Sequence, residues 1–407
     1  FYQKKFGNKG KALKNRGFKA EADAYYEKAA NLEGIDPLWK ISGKREYLPN
    51  EKILEENTRS FEIPPVQHLA YAHRVCQKFN KTMYQHWSDL PSKVGIDLTR
   101  GGFHALMQQI EDNFLWKFTG DVRKWDKYFG KYLREKCRNL RIKLIHAKYS
   151  QEKATEIANR LYFVYRVALN PCVITPWMQV IKILNAMLSG DNNTTPDNTL
   201  AHYGLILSMT KYFVPEIRTL AQIIRNFSIN VYADDHLNAL SEELAFLRSF
   251  EVRSKFYKFF GFQLKEEDDK VQLTVEGLVF LGATCVRYGG YWAPQYNLSR
   301  IWSSLVYKGN SIPIDQYFMK ARSLLLLSTF NGKQSFQVIR NLVLYIRNVW
   351  TVKYQKLKSK KLRKELDTFE IEGVSDDFVP DYEFAVKWWL GLEVDRGLAS
   401  RYPRRVD

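Results

Sequence analysis

The stretch Ser228-Ile229-Asn230-Val231-Tyr232-Ala233-Asp234-Asp235-His236-Leu237 places two adjacent carboxylates at the tip of a strand. Ile229, Val231 and Ala233 alternate with Ser228, Asn230 and Tyr232, the period of a half-buried strand. No Lys or Arg stands beside the pair. An isolated Asp-Asp pair is ordinary turn chemistry. It gains meaning when a second strand ends in another carboxylate, because two divalent cations need shared oxygen ligands. Trp116-Lys117-Phe118-Thr119-Gly120-Asp121 is such a run, and Asp126 follows five residues later.

Composition narrows the partners. The chain has 407 residues, enough for a large core and two or three subdomains, and a net charge of +18. That excess favours a polyanion, nucleic acid first and an anionic membrane surface second. A hydrophobic content of 45% is that of a folded protein rather than a disordered one. Cys76, Cys137, Cys172 and Cys285 form no CxxC pair, which argues against a zinc site or disulfide framework and fits a reducing compartment. No apolar run reaches the roughly 18 residues of a membrane span, and no secretory signal is visible. The chain opens on Phe1 rather than Met, which reads as a processed or trimmed piece of something longer.

Along the chain, residues 1–35 are Lys-rich and then helical in pattern. Residues 43–64 read as an extended, Pro-bounded pair of segments carrying Lys44, Arg45, Lys52 and Arg59, cations suited to a triphosphate channel or to plain surface. Pro64 to Trp87 and His104 to Asn113 have helical spacing, and His68, His73 and His86 along the first lack metal spacing. Lys127 to Arg160 reads as strongly helical and basic, and an apolar run begins at Trp177. Ser189 to Thr199 reads as a turn with outward hydroxyls and amides, followed by a helix over Leu200–Lys211 that leaves Asn198 as a candidate N-cap. Leu240–Phe260 reads as one amphipathic helix, Val271–Val286 as two strands, Gly289-Gly290 as a tight turn, and residues 298–366 as mainly helical.

Together these pieces resemble the motifs of viral RNA-dependent RNA polymerases. Asp121 and Asp126 resemble motif A, Ser189-Gly190-x3-Thr194-x3-Asn198 motif B, and Tyr232-Ala233-Asp234-Asp235 motif C. Lys44-Arg45-Glu46, Lys52 and Thr58-Arg59 look like motif F, Phe259-Phe260-Gly261-Phe262 with Lys270 like motif D, and Val279-Phe280-Leu281-Gly282 like motif E. Six weak signals stand in the family's order over residues 43–290. The Asp-Asn-Thr ending of motif B leans towards the positive-strand astrovirus and potyvirus-like lineage, astrovirus-like within it. One departure is Ala233, where the family usually has Gly. Tyr-x-Asp-Asp is also a reverse-transcriptase signature. The polar Asp126, where those enzymes carry a bulky aromatic, and the motif B pattern both favour the RNA polymerase.

The resemblance implies an α+β right-hand polymerase. Fingers would occupy residues 1–119 and about 130–187, the palm 120–292 with a small antiparallel sheet, and a helical thumb 293–407. It implies RNA-directed ribonucleotidyl transfer with two Mg²⁺ ions, Mn²⁺ able to substitute, held by Asp121, Asp234, Asp235 and the carbonyl of Val122. Asp126 and Asn198, supported by Ser189, Gly190 and Thr194, would read the ribose 2′-OH. Lys44, Arg45, Lys52 and Arg59 would grip the triphosphate. Lys270 would donate a proton to pyrophosphate, with Lys265 as its rival. Template and nascent RNA, ribonucleoside triphosphates and other viral replication proteins are the implied partners. The implied location is the host cytoplasm, with membrane-associated replication complexes reached through partners. The alternatives are a reverse transcriptase and a non-catalytic RNA-binding relic.

Overall fold

Helical and strand periodicities resolve into short strands and long helices in the computed structural model, which describes residues 15–31, 37–43, 54, 60–184, 187–217, 219–306, 314–356 and 378–392. The chain divides into two units, residues 1–95 with 118–271, and residues 96–117 with 272–407. The architecture is α+β, with three small sheets.

In the first unit, α1 (Arg16–Ala30) precedes β1 (Trp39–Gly43), β2 (Ser60–Ile63) and α2 (Val66–Gln85). Next come β3 (Trp116–Gly120) and a helical pair, α3 (Lys131–Lys148) and α4 (Gln151–Leu169). A hairpin of β4 (Cys172–Ile174) and β5 (Val180–Lys182) leads to α5 (Thr194–Phe213). The hairpin of β6 (Phe227–Tyr232) and β7 (Asp235–Leu240), α6 (Phe250–Phe259) and β8 (Lys270–Gln272) follow, with short helical turns between the longer elements. One sheet runs β2-β1-β4-β5, with β1 and β4 parallel, and the other β6-β7-β3-β8.

The core of this unit follows helical spacing. Tyr71, Ala72, Cys76 and Met83 line one face of α2, and Ala154, Ala158, Leu161 and Tyr165 one face of α4. Tyr71 meets Phe163 edge to face at 5.4 Å, and Trp39 of β1 is fully buried in the same cluster. All four cysteines are free.

Three helical expectations change. Lys127 to Arg160 breaks at Tyr149-Ser150, where both residues turn extended. A straight helix of that length would run roughly 50 Å and leave its apolar stripe uncovered, whereas two shorter helices cover each other. Leu240–Phe260 splits at Ser249, whose hydroxyl caps α6 by accepting from Val252 N–H at 3.4 Å. Helix α5 starts at Thr194, six residues before Leu200, so Asn198 lies inside the helix and Asn193 takes the N-cap position. Pro196 suggests a break but sits in the first turn, where its missing N–H has no partner to lose.

That first turn is fixed by buried charge. Arg134 of α3 meets Asp191 at 2.7 Å and the Ala168 carbonyl at 2.6 Å. Arg141, two helical turns further along, meets Asp197 at 2.9 Å and the side-chain Oδ1 of Asn80 at 2.9 Å. Tyr165 adds its hydroxyl to Asp197 at 2.8 Å. Asn192 and Asn193 tie the preceding loop to Leu69 and Cys76 of α2.

In the second unit, β9 (Val279–Phe280), β10 (Ala283–Tyr288) and β11 (Tyr291–Tyr296) form an antiparallel sheet, with Gly289-Gly290 as the two-residue turn. Helices α7 (Leu298–Val306), α8 (Ile314–Leu327), α9 (Lys333–Lys356) and α10 (Tyr382–Leu390) follow. Phe336, Ile339 and Val343 of α9 pack with Phe318 and Leu325 of α8 in a common core. Among the described residues, no helix is long and apolar enough to cross a membrane.

Replacing Arg141 with Met leaves the Asp197 carboxylate buried without its guanidinium. The expected loss is about 3–5 kcal/mol of unfolding free energy by urea titration. An equally conservative change at the exposed Lys143 should stay within about 0.5 kcal/mol.

Candidate active site

Strands β6 and β7 pair from Phe227↔Leu240 to Tyr232↔Asp235, leaving Ala233 and Asp234 as a two-residue turn. Ala233 has φ = 55°, the left-handed region in which a two-residue hairpin turn prefers glycine. An L-residue there costs roughly 1–2 kcal/mol. Helix α5 holds the turn at both of its polar groups. Thr199 Oγ1 accepts from Ala233 N–H at 2.9 Å, and His202 Nδ1 bonds the Ala233 carbonyl at 2.9 Å.

Strand β3, neighbour of β7, delivers Asp121. A Cβ on the preceding Gly120 would lie 2.8 Å from the His236 ring, so the imidazole next to Asp235 occupies the space a side chain would need. Val122 is buried and bridges Leu264, but the bridge's bonds are made by its neighbours, Arg123 N–H to Gln263 and Lys265 N–H to Asp121. The Val122 carbonyl is therefore not used by that bridge.

Burial first, and then the charge of Asp121, push the Asp234 carboxyl up to about 6. Asp121 is thus close enough to oppose the ionisation of Asp234. Asp235 opens β7 directly opposite Tyr232. Lys265 Nζ bonds Asp121 Oδ2 and also lies 3.3 Å from Asp268. Burial lowers the Lys265 pKa, but these carboxylates outweigh it and raise the ammonium overall. Lys270 instead stands exposed at the start of β8. Of the two lysines weighed from sequence, Lys265 is the one that meets Asp121.

A second cluster adjoins the first. Asn198 Nδ2 donates to Asp126 Oδ1 at 2.9 Å and Ser189 Oγ to Asp126 Oδ2 at 3.3 Å. Asn198 Oδ1 is buried and has no hydrogen-bond partner, an acceptor left open beside an acid. Thr194 gives its hydroxyl to the Leu188 carbonyl, so it closes the loop rather than facing Asp126. Gly190 is pressed against β2, where a Cβ would lie 1.7 Å from the Glu62 carbonyl oxygen. Glu62 also accepts from Ser189 N–H at 3.2 Å, and its carboxyl is raised by burial and by Asp126. Lys44, Arg45, Lys52 and Arg59 lie outside the described residues.

Several residues at the site escape sequence reading. Glu62, His202, Asp191 and Asp197 act through partners far away in the chain. Asp197 and Thr199, either side of Asn198, nevertheless stand in the Asp-Asn-Thr ending of the recognisable motif. Among the described residues, no three His, Cys, Asp or Glu side chains form a metal-holding group by themselves. The oxygen donors and the mutual repulsion of Asp121 and Asp234 fit a hard divalent cation.

Comparison with known proteins identifies the arrangement. The family profile of viral RNA-dependent RNA polymerases matches residues 2–346. The chain belongs to this family. Viral RNA-dependent RNA polymerases use divalent metal ions, in keeping with the carboxylate cluster. The chain is 26% identical over 270 residues to the genome polyprotein of Bean yellow mosaic virus, covering 66% of this chain and 8% of the polyprotein. It is 24% identical over 312 residues to the non-structural polyprotein 1AB of Turkey astrovirus 2, covering 74% and 19%. A Plum pox potyvirus genome polyprotein is 27% identical over 177 residues, covering 44% and 11%. The chain thus spans less than a fifth of these relatives. Potyvirus and astrovirus sequences match about equally well, so the narrower astrovirus-like expectation is not separated from its neighbour. The family match selects the RNA polymerase over the reverse transcriptase that Tyr232-Ala233-Asp234-Asp235 leaves open.

The raised Asp234 makes a signed prediction. Its folded-state value lies above the ordinary Asp value of ~3.9, so ionising it costs stability above about pH 6 and costs nothing below about pH 4. Asp234→Asn in metal-free protein should therefore gain about 1–2 kcal/mol at pH 7.5, allowing for solvent at the turn. The gain should vanish by pH 4 in paired urea titrations.

Proposed function

We propose that this chain performs RNA-templated RNA synthesis in viral genome replication, with Asp121 and Asp234 as the principal metal-binding carboxylates. The observation that carries the proposal is the convergence of Asp121, Asp234 and Lys265 next to the Asp126–Asn198 pair, within a chain of the polymerase family. Asp235 and the Val122 carbonyl complete the oxygen set. Bound divalent ions would activate the attacking 3′ hydroxyl and neutralise the leaving pyrophosphate.

The protein's own residues supply position and selectivity. Asp126 holds the Asn198 amide so that its Oδ1 stays open to a hydroxyl donor. A ribose 2′-OH satisfies that acceptor, and a deoxyribose leaves it buried and unpaired, which is costly. Lys265, kept protonated beside Asp121, is the donor to the leaving group in this reading, with Lys270 the more exposed alternative. Arg59 and Lys52, with Lys44 and Arg45, are assigned to the triphosphate. Arg59 immediately precedes β2, whose Glu62 touches the loop of Ser189 and Gly190. The right-hand division into fingers, palm and thumb is the reading proposed for residues 1–119, 120–292 and 293–407. Template and product RNA would be gripped through phosphates, which makes binding steeply salt-dependent.

Primed-template extension with Mg²⁺ tests the proposal, using ribonucleotides and deoxynucleotides in parallel. Ribonucleotide incorporation should disappear in Asp234→Ala. Asn198→Ala should narrow the preference for ribonucleotides at least about tenfold, the order expected for losing a buried hydrogen bond to the hydroxyl. Preferential deoxynucleotide use by the unaltered chain would overturn the role of Asp126 and Asn198. RNA binding without synthesis would favour the relic.

A further inference from the structure

The imidazole of His202 lies where every element of the site meets. It follows Asn198 by one turn on the same face of α5. Its Nδ1 bonds the carbonyl of Ala233, the peptide bond that leads into Asp234, at 2.9 Å. Its ring packs on Trp125, next to Asp126, at 4.7 Å, and edge-on against His236, next to Asp235, at 5.0 Å. Its Nε2 meets the Tyr257 hydroxyl of α6 at 2.8 Å.

The proton positions follow from the partners. A carbonyl only accepts, so Nδ1 carries the hydrogen. Burial pushes the His202 pKa down to about 4, which keeps the ring neutral and leaves Nε2 as an acceptor. Burial raises the Tyr257 phenol, so it remains the donor. One tautomer is thereby selected, and the ring is held by Trp125 and His236 and by hydrogen bonds at both nitrogens.

We infer that His202 is a positioning residue: its Nδ1–H fixes the Ala233–Asp234 peptide and so couples the ribose-reading turn of α5 to the aim of the Asp234 carboxylate. The inference rests on the polymerase reading for its catalytic consequence, but not for its geometry. Because one helix carries Asn198, Thr199 and His202, the placement of the ribose-reading amide sets that of the Ala233 amide and carbonyl. The positive φ of Ala233 is held by these two bonds rather than by glycine's freedom.

Two substitutions separate positioning from packing. His202→Asn places an N–H near the Nδ1 position and gives up Tyr257. His202→Gln reaches the Nε2 position and gives up the Ala233 carbonyl. Both remove the same ring. His202→Gln should lower kcat about 10–100-fold with little change in nucleotide KM, the range for losing a residue that orients a metal ligand, and His202→Asn should keep kcat within about threefold. Mn²⁺ titration followed by electron paramagnetic resonance, without RNA or nucleotide, should show affinity weakened by about tenfold or more in His202→Gln alone. Equal losses in both variants, in step with a lowered melting temperature, would overturn the inference, as would a change confined to KM. If the unaltered chain makes no RNA, the polymerase reading falls, and the Mn²⁺ arm still decides the role of His202.

Discussion

Two buried guanidiniums fix the start of α5, and the geometry of both clusters depends on that fixed end. Arg134 with Asp191 and Arg141 with Asp197 are almost wholly excluded from solvent. Shifting the loop or the helix start would leave charges buried without partners, a far larger cost than bending a surface segment. From this anchored turn, Asn198 reaches Asp126, and Thr199 and His202 reach the Asp-Asp turn. The helix works as a rigid spacer between the place where a sugar would be read and the place where metals would sit.

Around that frame the site concentrates unfavourable charge. Burial and Asp121 raise Asp234, burial and Asp126 raise Glu62, and the Lys265 ammonium meets Asp121. Carboxylates arranged to repel one another are poor for stability and good for attracting cations, the compromise expected of a functional site. The surrounding aromatic packing, with Trp125 stacked on Phe262 at 4.5 Å, keeps the carboxylates from relaxing apart.

Much of this was legible in the chain. The hairpin over Ser228–Leu237 could be read because alternation and turn residues are local signals. The second carboxylate strand at Trp116–Gly120 was legible for the same reason. The spacing within Ser189–Asn198 was visible, but the helix start was misplaced because Pro196 resembles a breaker when its position within the first turn is unknown. That Lys265 and not Lys270 meets Asp121 depends on the bridge between Val122 and Leu264, which sets the register of the loop against β3's exit. Glu62 and His202 were out of reach. Their partners lie 127 and 55 residues away, and no local pattern in one sequence encodes a pairing of that span. The breaks at Ser150 and Ser249 were missed because a lone serine in a helical pattern is equally an interior residue and a cap.

Ala233 bears on how such chains are recognised at all. Its backbone adopts the conformation for which glycine is the usual solution, with the strain offset by hydrogen bonds from Thr199 and His202. The same bend can therefore be written in two alphabets: one letter that is intrinsically pliable, or a stiffer letter plus two braces thirty-odd residues upstream. A pattern built on the pliable letter alone passes over the second spelling, and a pattern that reads turn and braces together would find both.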